Sequence, residues 1–291
     1  MKVAYYPGCT QRGTAEEFGH STEAACEALG IELAEIPDWN CCGATSAHAL
    51  DHALAIALPA RDLAQAESMG LDTVTTSCAA CYARLQVAHQ TITGDPERWQ
   101  PYLAGAGIRY RGTLRIYSLL DLIANVHGLE PLQEKVVRPL DGLRLACYYG
   151  CLLVRPPEIA QFDDPELPMS MDHLIEALGG MPVPWAYKTE CCRAALAMAR
   201  GDIQKKNSRE VLQNAADHGA EGVVVACPLC HGNLDWYQEE INGQFGTELN
   251  MPVYFFTQLV AVCCGQPLHR LGLEAHLTPC LAPLEAKGVL G

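Results

Sequence analysis

Residues 72–81 read DTVTTSCAAC and residues 222–230 read GVVVACPLC. In each, a short β-branched run of the kind that forms a fully buried strand leads directly into a Cys-x-x-Cys. Helical sequence follows, YARLQVAHQTI in one case and HGNLDWYQEEI in the other. A buried strand that hands over to a helix within a few residues is the repeating unit of a parallel α/β sheet. Since the unit occurs twice, the spacing predicts two similar α/β halves with mainly parallel strands, related by a pseudo-twofold axis.

The flanking sequence supplies the rest of each unit. KVAYY at 2–6 reads as a buried strand delivering Cys9, and LRLACYYGC at 143–151 as its counterpart delivering Cys151. A helix capped by Ser21 or Thr22 and stopped by Gly30 precedes the alternating strand IELAEI at 31–36. In the second half, MDHLIEALGG at 171–180 reads as a helix and residues 183–187 as a strand. Ala47 to Met69 has helical spacing in two segments, with the break expected at Pro59. LRIYS with SLLDLIANVHG, and VYFFT with QLVAVCC, give each half one more strand and helix. Residues 94–113 are a breaker-rich bridge with a short helix around 97–103, and 129–142 read as a polar connector. The boundary is expected near residue 141, giving halves at 1–141 and 142–291.

Ten of the fifteen cysteines repeat in one order. Cys9, the doublet Cys41-Cys42 and the pair Cys78/Cys81 are matched by Cys151, Cys191-Cys192 and Cys227/Cys230. The gaps are similar, residues 10–40 against 152–190 and 43–77 against 193–226. The formal charge of −14 gives no attraction for nucleic acid or anionic lipid. The apolar runs are too short to span a bilayer and MKVAYYPGCT has no signal-peptide pattern. The reading is therefore cytoplasmic, where thiols stay reduced and a disulfide framework is not expected. Thiolate ligation of metal is the leading alternative. Zinc and an ordinary cubane cluster each take four ligands, whereas each half offers five. Iron–sulfur ligation fits the surplus best, with structural zinc and redox dithiols as the remaining readings. A Cys-x-x-Cys at a helix start also gains backbone N–H donors and the positive end of the helix dipole.

The motif elements YPGC, NCCGA, SCAACY, YYGCLLVRP, ECCRAA and ACPLCHGNL resemble the CCG-domain family, and the two-copy arrangement is similar to the B-type chain of heterodisulfide reductases. The resemblance covers nearly the whole chain. It implies two non-cubane [4Fe-4S] clusters at the face the halves share, one bound by Cys9, Cys41, Cys42, Cys78 and Cys81, the other by Cys151, Cys191, Cys192, Cys227 and Cys230. It implies reduction of a disulfide, of the CoM-S-S-CoB type or analogous, to two thiols. Electrons would come from a ferredoxin-like iron–sulfur subunit, the C-type partner, and through it from a flavin subunit, the A-type partner. An electron-transfer role that passes electrons to another acceptor is the alternative within the same family. Arg193 departs from the pattern by standing where the first copy has the glycine of CCG, so local backbone shape or substrate contact is expected to differ there.

Cys26, Cys147, Cys263, Cys264 and Cys280 lie outside the ligand sets; Cys26, Cys147 and the Cys263-Cys264 doublet read as structural, with Cys147 the rival of Cys151. His231, directly after Cys230, is a candidate proton donor or substrate contact, weighed against a capping or surface histidine. Arg12, Arg155, Lys188 and Arg193 are candidate contacts for an anionic substrate, with surface charge as the plain alternative. No Gly-rich dinucleotide fingerprint follows any strand.

Overall fold

Eight short strands form in the computed structural model, which describes residues 1–44 and 47–290. They are β1 (Lys2–Tyr5), β2 (Glu32–Glu35), β3 (Thr73–Thr76) and β4 (Arg115–Ser118), then β5 (Arg144–Tyr148), β6 (Met181–Pro182), β7 (Gly222–Val225) and β8 (Val253–Phe255). The first four make one sheet in the order β2-β1-β3-β4 and the last four a second in the order β6-β5-β7-β8. Every pairing is parallel. The second sheet thus repeats the first strand for strand, as the sequence repeat predicts. Neighbouring β1 and β3, like β5 and β7, are the strands from which the chain departs in opposite directions. In open α/β sheets the C-terminal ends of such strands border the crevice that receives ligands.

The central strands are apolar because both faces are covered. Val3, Ala4, Val74, Ala146, Val223 and Val224 are fully buried. The sheets are tied together by exchange of helices. Phe256–Cys263, which follows β8, packs on Glu16–Leu29 of the first half. The helical turns that follow β4, at 119–127, pack on Ser170–Ala177 of the second. Phe18 stacks on Phe255 with ring centroids 4.0 Å apart, and the Ser21 and Thr257 hydroxyls hydrogen-bond at 2.8 Å.

Several expectations need correction. The first helix begins at Glu16, so Ser21 and Thr22 are interior, their hydroxyls engaged with Thr257 and Ser77 instead of capping. The break in 47–69 falls at Asp51, whose Oδ1 accepts the Leu54 N–H at 2.7 Å, and helix His52–Ser68 runs through Pro59. Burial of Ala55, Ile56, Ala60 and Leu63 along one face outweighs the one hydrogen bond a proline removes. The expected strand at 183–187 is only Met181–Pro182. Val183 still donates to the Leu145 carbonyl, but Pro184 has no N–H and ends the ladder. The connector 129–142 contains a short helix, Leu129–Gln133, with Leu132 buried. HGNLDWYQEEI is split into Pro228–Asp235 and Gln238–Phe245.

Candidate metal centre

Three loops at the C-terminal ends of adjacent strands converge in each half. In the first, the turn after β1 carries Cys9, the loop after β2 carries Cys41-Cys42, and the β3-to-helix junction carries Cys78 and Cys81. Cys78 caps helix Ala79–Gly94 and Cys227 caps helix Pro228–Asp235, so both pairs sit where backbone N–H groups are unpaired. Gly8 and Gly150 take left-handed φ of +72° and +67°, and a Cβ on either would lie 3.0 Å from the Sγ of Cys81 or Cys230. Only glycine lets the backbone pass that close to the thiol. The doublet loops are pinned in the same way twice. Tyr6 donates its hydroxyl to the Asn40 carbonyl at 2.7 Å, and Tyr148 donates to the Glu190 carbonyl at 2.6 Å.

The sulfur positions repeat as well. Cys42 and Cys81 are 3.4 Å apart at Sγ, Cys192 and Cys230 3.7 Å, and Cys151 and Cys191 3.6 Å. A disulfide needs about 2.05 Å, and all fifteen cysteines are free thiols. Cys78 and Cys227, one from each half, are both buried and lie near enough to shift each other's protonation. The two sets therefore approach each other where the halves meet. Cys9 and Cys41 are exposed and Cys151 and Cys191 half-buried, while the other six are buried. Cys147, by contrast, lies inside β5 against Asp172, and it is Cys151 that stands beside Cys191.

Crowded thiols share protons unequally. Cys42 is held far below the usual thiol range, first by hydrogen bonds from Cys41 and Cys81 and further by the Arg84 guanidinium. Cys191 is lowered to about 6, first by the hydrogen bond from Cys151, then by the backbone N–H and side chain of Arg193. Cys227 is lowered by Cys230 and then Cys78. Thiolate is the form that ligates metal, and these shifts favour it at one or more cysteines of each set.

The structure sorts the other candidates. Lys188 is buried, its Nζ donating to Asp172 Oδ1 at 2.7 Å and the Pro168 carbonyl at 3.0 Å. Its own carbonyl accepts the N–H groups of Tyr149 and Gly150, so it braces the turn that carries Cys151. Arg12 is paired with Glu35, and Arg155 with Glu166. Arg193 is exposed and adopts φ +62°, close to the +77° of Gly43, with its N–H directed at Cys191 Sγ 3.4 Å away. The backbone shape expected to differ is thus the same in both copies, held in the second at the strain of a left-handed side-chain-bearing residue. His231 is buried, its ring stacked on Phe255 and edge-on to His276, with Nε2 3.2 Å from the Val253 carbonyl. Burial, then His276, holds it well below the ordinary histidine range and neutral. Together with Asp235, which accepts the Leu277 and Thr278 N–H groups, it fastens the C-terminal segment to the helix that bears Cys230. Sequence reading passed over Asp62, whose Oδ1 accepts the Asn40 N–H at 2.8 Å, and Arg84. The signal for Arg84 was its position three residues after Cys81, on the same helical face; Asp62 has no such signal.

Clustered cysteine sulfurs in each half, closely approached by glycine backbone, suit a thiophilic metal group and not a hard cation. Two stretches, residues 3–86 and 145–235, match the cysteine-rich domain called CCG. The chain belongs to the CCG family. It is 35% identical over 277 residues to the 8-methylmenaquinol:fumarate reductase membrane anchor subunit of Wolinella succinogenes, covering 95% of this chain and 96% of that one. It is 31% identical over 283 residues to the B-type chain of the ferredoxin:CoB-CoM heterodisulfide reductase of Methanosarcina mazei, covering 94% and 93%. Among solved structures, a hypothetical protein from Helicobacter pylori has the same fold, with a TM-score of 0.74 at 14% identity over 95% of this chain; the CCG chain spans only 52% of that molecule. The family and its relatives mark an iron–sulfur electron-transfer subunit of an oxidoreductase complex. No helix among the described residues is long and apolar enough to cross a membrane.

Proposed function

We propose that this CCG chain is the iron–sulfur catalytic subunit of a heterodisulfide reductase-like complex. Residues 1–141 would hold one non-cubane [4Fe-4S] cluster through Cys9, Cys41, Cys42, Cys78 and Cys81. Residues 142–291 would hold a second through Cys151, Cys191, Cys192, Cys227 and Cys230. The observation that supports this reading is the repeated close approach of cysteine sulfurs at strand ends, Cys42 to Cys81 at 3.4 Å in the first half and Cys192 to Cys230 at 3.7 Å in the second. When bound, the clusters supply one electron each, the two that splitting a disulfide into two thiols requires. The chain's own residues shape the place where this happens. Gly8 and Gly150 admit the closely packed sulfurs, Tyr6 and Tyr148 fix the doublet loops, and Lys188 with Asp172 braces the Cys151 turn. The buried Tyr6 and Tyr148 stand beside the buried thiols Cys42, Cys81, Cys192 and Cys230, and a site kept from water strengthens electrostatic interactions. The electron source is a ferredoxin-like iron–sulfur subunit fed by a flavin subunit, in the cytoplasm, and the substrate is a small disulfide.

A second reading is electron relay to another acceptor. The 35% identity to a quinol:fumarate reductase subunit favours it, and it uses the same thiols. Iron and sulfide analysis with electron paramagnetic resonance on oxygen-free protein tests the ground common to both, with about eight irons per chain expected. About four irons, or zinc in either half, would remove the two-cluster reading. Disulfide reduction by the loaded chain with a reduced viologen as donor then separates catalysis from relay.

A further inference from the structure

The two thiol sets repeat in their sulfurs but not in the charge placed beside them. Arg84 lies three residues after Cys81 on helix Ala79–Gly94, and Asn233 lies three residues after Cys230 on helix Pro228–Asp235, so the two positions are equivalent. That position faces the doublet, since Asn233 Nδ2 donates to the Cys192 carbonyl at 2.8 Å. Arg84 brings a guanidinium to the same place in the first half, where it acts on Cys42. Its Nε is buried without a hydrogen-bond partner, and among the described residues it forms no ion pair, unlike Arg12 and Arg155. The first half thus holds an unspent, partly buried cation where the second holds a neutral amide. The cation on the second set, Arg193, is exposed and screened by solvent and salt.

We propose that Arg84 makes the cluster held by the first set the easier of the two to reduce, so that the first electron delivered by a one-electron donor rests in the first half. The inference rests on the two-cluster reading above and concerns how the two sites divide the work. Adding an electron adds negative charge, and a fixed nearby cation in a poorly solvated site lowers the energy of that state. The carboxyl that faces the same doublet from helix His52–Ser68 is Asp62, which burial pushes up to about 7. Arg61 from that helix is committed to Asp38 and Asn40.

The test is a redox titration of the full chain at pH 6, followed by paramagnetic resonance. The wave that disappears in Cys81→Ala belongs to the first half. In the wild type this wave should come first as the potential is lowered. Arg84→Gln should reduce the ratio of reduced to oxidised first cluster about tenfold at a fixed potential, which is about 59 mV for a one-electron couple. The second wave should stay in place. Arg84→Lys keeps the charge and should keep the wild-type order; should Arg84→Gln fail to hold iron, Arg84→Met, with its apolar stem, takes its place. A first wave unmoved by removal of the charge, or moved equally by Arg84→Lys and Arg84→Gln, would overturn the inference while leaving two clusters standing. A chain with one cluster overturns the two-cluster reading and this inference with it.

Discussion

At the scale of single residues, the site is set by positions where a side chain has no room or a charge has no water. Gly8 and Gly150 combine a left-handed backbone with a Cβ position 3.0 Å from a thiol, so alanine there is strained and collides with a donor atom. Gly150→Ala should cost about 1–2 kcal/mol in backbone strain. Its larger effect should be loss of about half the iron, measured per chain beside a wild-type control, because only the Cys230 set is disturbed. Asp62 makes a different prediction. Its carboxyl titrates near 3.9 when unfolded and at about 7 when folded, chiefly because of burial. A raised folded value means full stability below about pH 4 and a loss as pH climbs through 7. Asp62→Asn keeps an acceptor for the Asn40 N–H and has no proton to lose. Other titrating groups are common to both proteins, so between pH 5 and pH 8 wild type should lose stability relative to the variant by on the order of 2 kcal/mol. Equal pH dependence in the two proteins would remove Asp62 as its source. Neither position was conspicuous in the sequence: glycine before cysteine is readable as a turn, but only packing shows which sulfur the turn must clear.

Among elements, those with strong local signals were legible. The strand runs at 73–76 and 222–225 could be read because β-branched residues crowd together ahead of a helix start. The edge strand near 183 could not, since Pro182 and Pro184 cut its ladder short while its apolar pattern continues past the end. Pro59 misled for the opposite reason: propensity predicted a break, and the buried face of His52–Ser68 overrode it. The helix exchange was invisible, because an apolar stretch such as FTQLVAVC states that it will be buried and not against which half. Phe18 is the test of that exchange. It is fully buried, stacked on Phe255 and edge-on to Phe256. Phe18→Ala should therefore cost about 3–5 kcal/mol, read as a lower urea midpoint. If the exchange couples the halves, fluorescence and circular dichroism should still report a single transition. A small change in midpoint would mean that this contact does not hold the halves together.

For the molecule as a whole, the decisive feature is that two copies of one unit pack together, each with buried sulfurs at the C-terminal ends of its strands. The repeat of ten cysteines made the two units readable. The shared face rests on contacts between residues far apart in sequence, Phe18 with Phe255 and Ser21 with Thr257, which no local pattern contains. This arrangement bears directly on the choice between disulfide reduction and relay. Splitting one disulfide takes two electrons, and a pair of one-electron sites supplies them only if both are intact. A relay makes a weaker demand, because a path through one site survives loss of the other whenever the second lies off that path. Cys81→Ala damages the first set and Cys230→Ala the second, and each removes a buried sulfur that packs against its own doublet. Each variant should retain about half the iron. Both should lose disulfide reduction with a reduced viologen by at least about a hundredfold, or about 2.7 kcal/mol in the barrier. The iron count guards against a trivial result, since a variant that has lost both sites says nothing about their cooperation. If either variant with its remaining site loaded reduces disulfide at close to the wild-type rate, paired action of the two halves is wrong. Electron relay to another acceptor then becomes the better account of the fold.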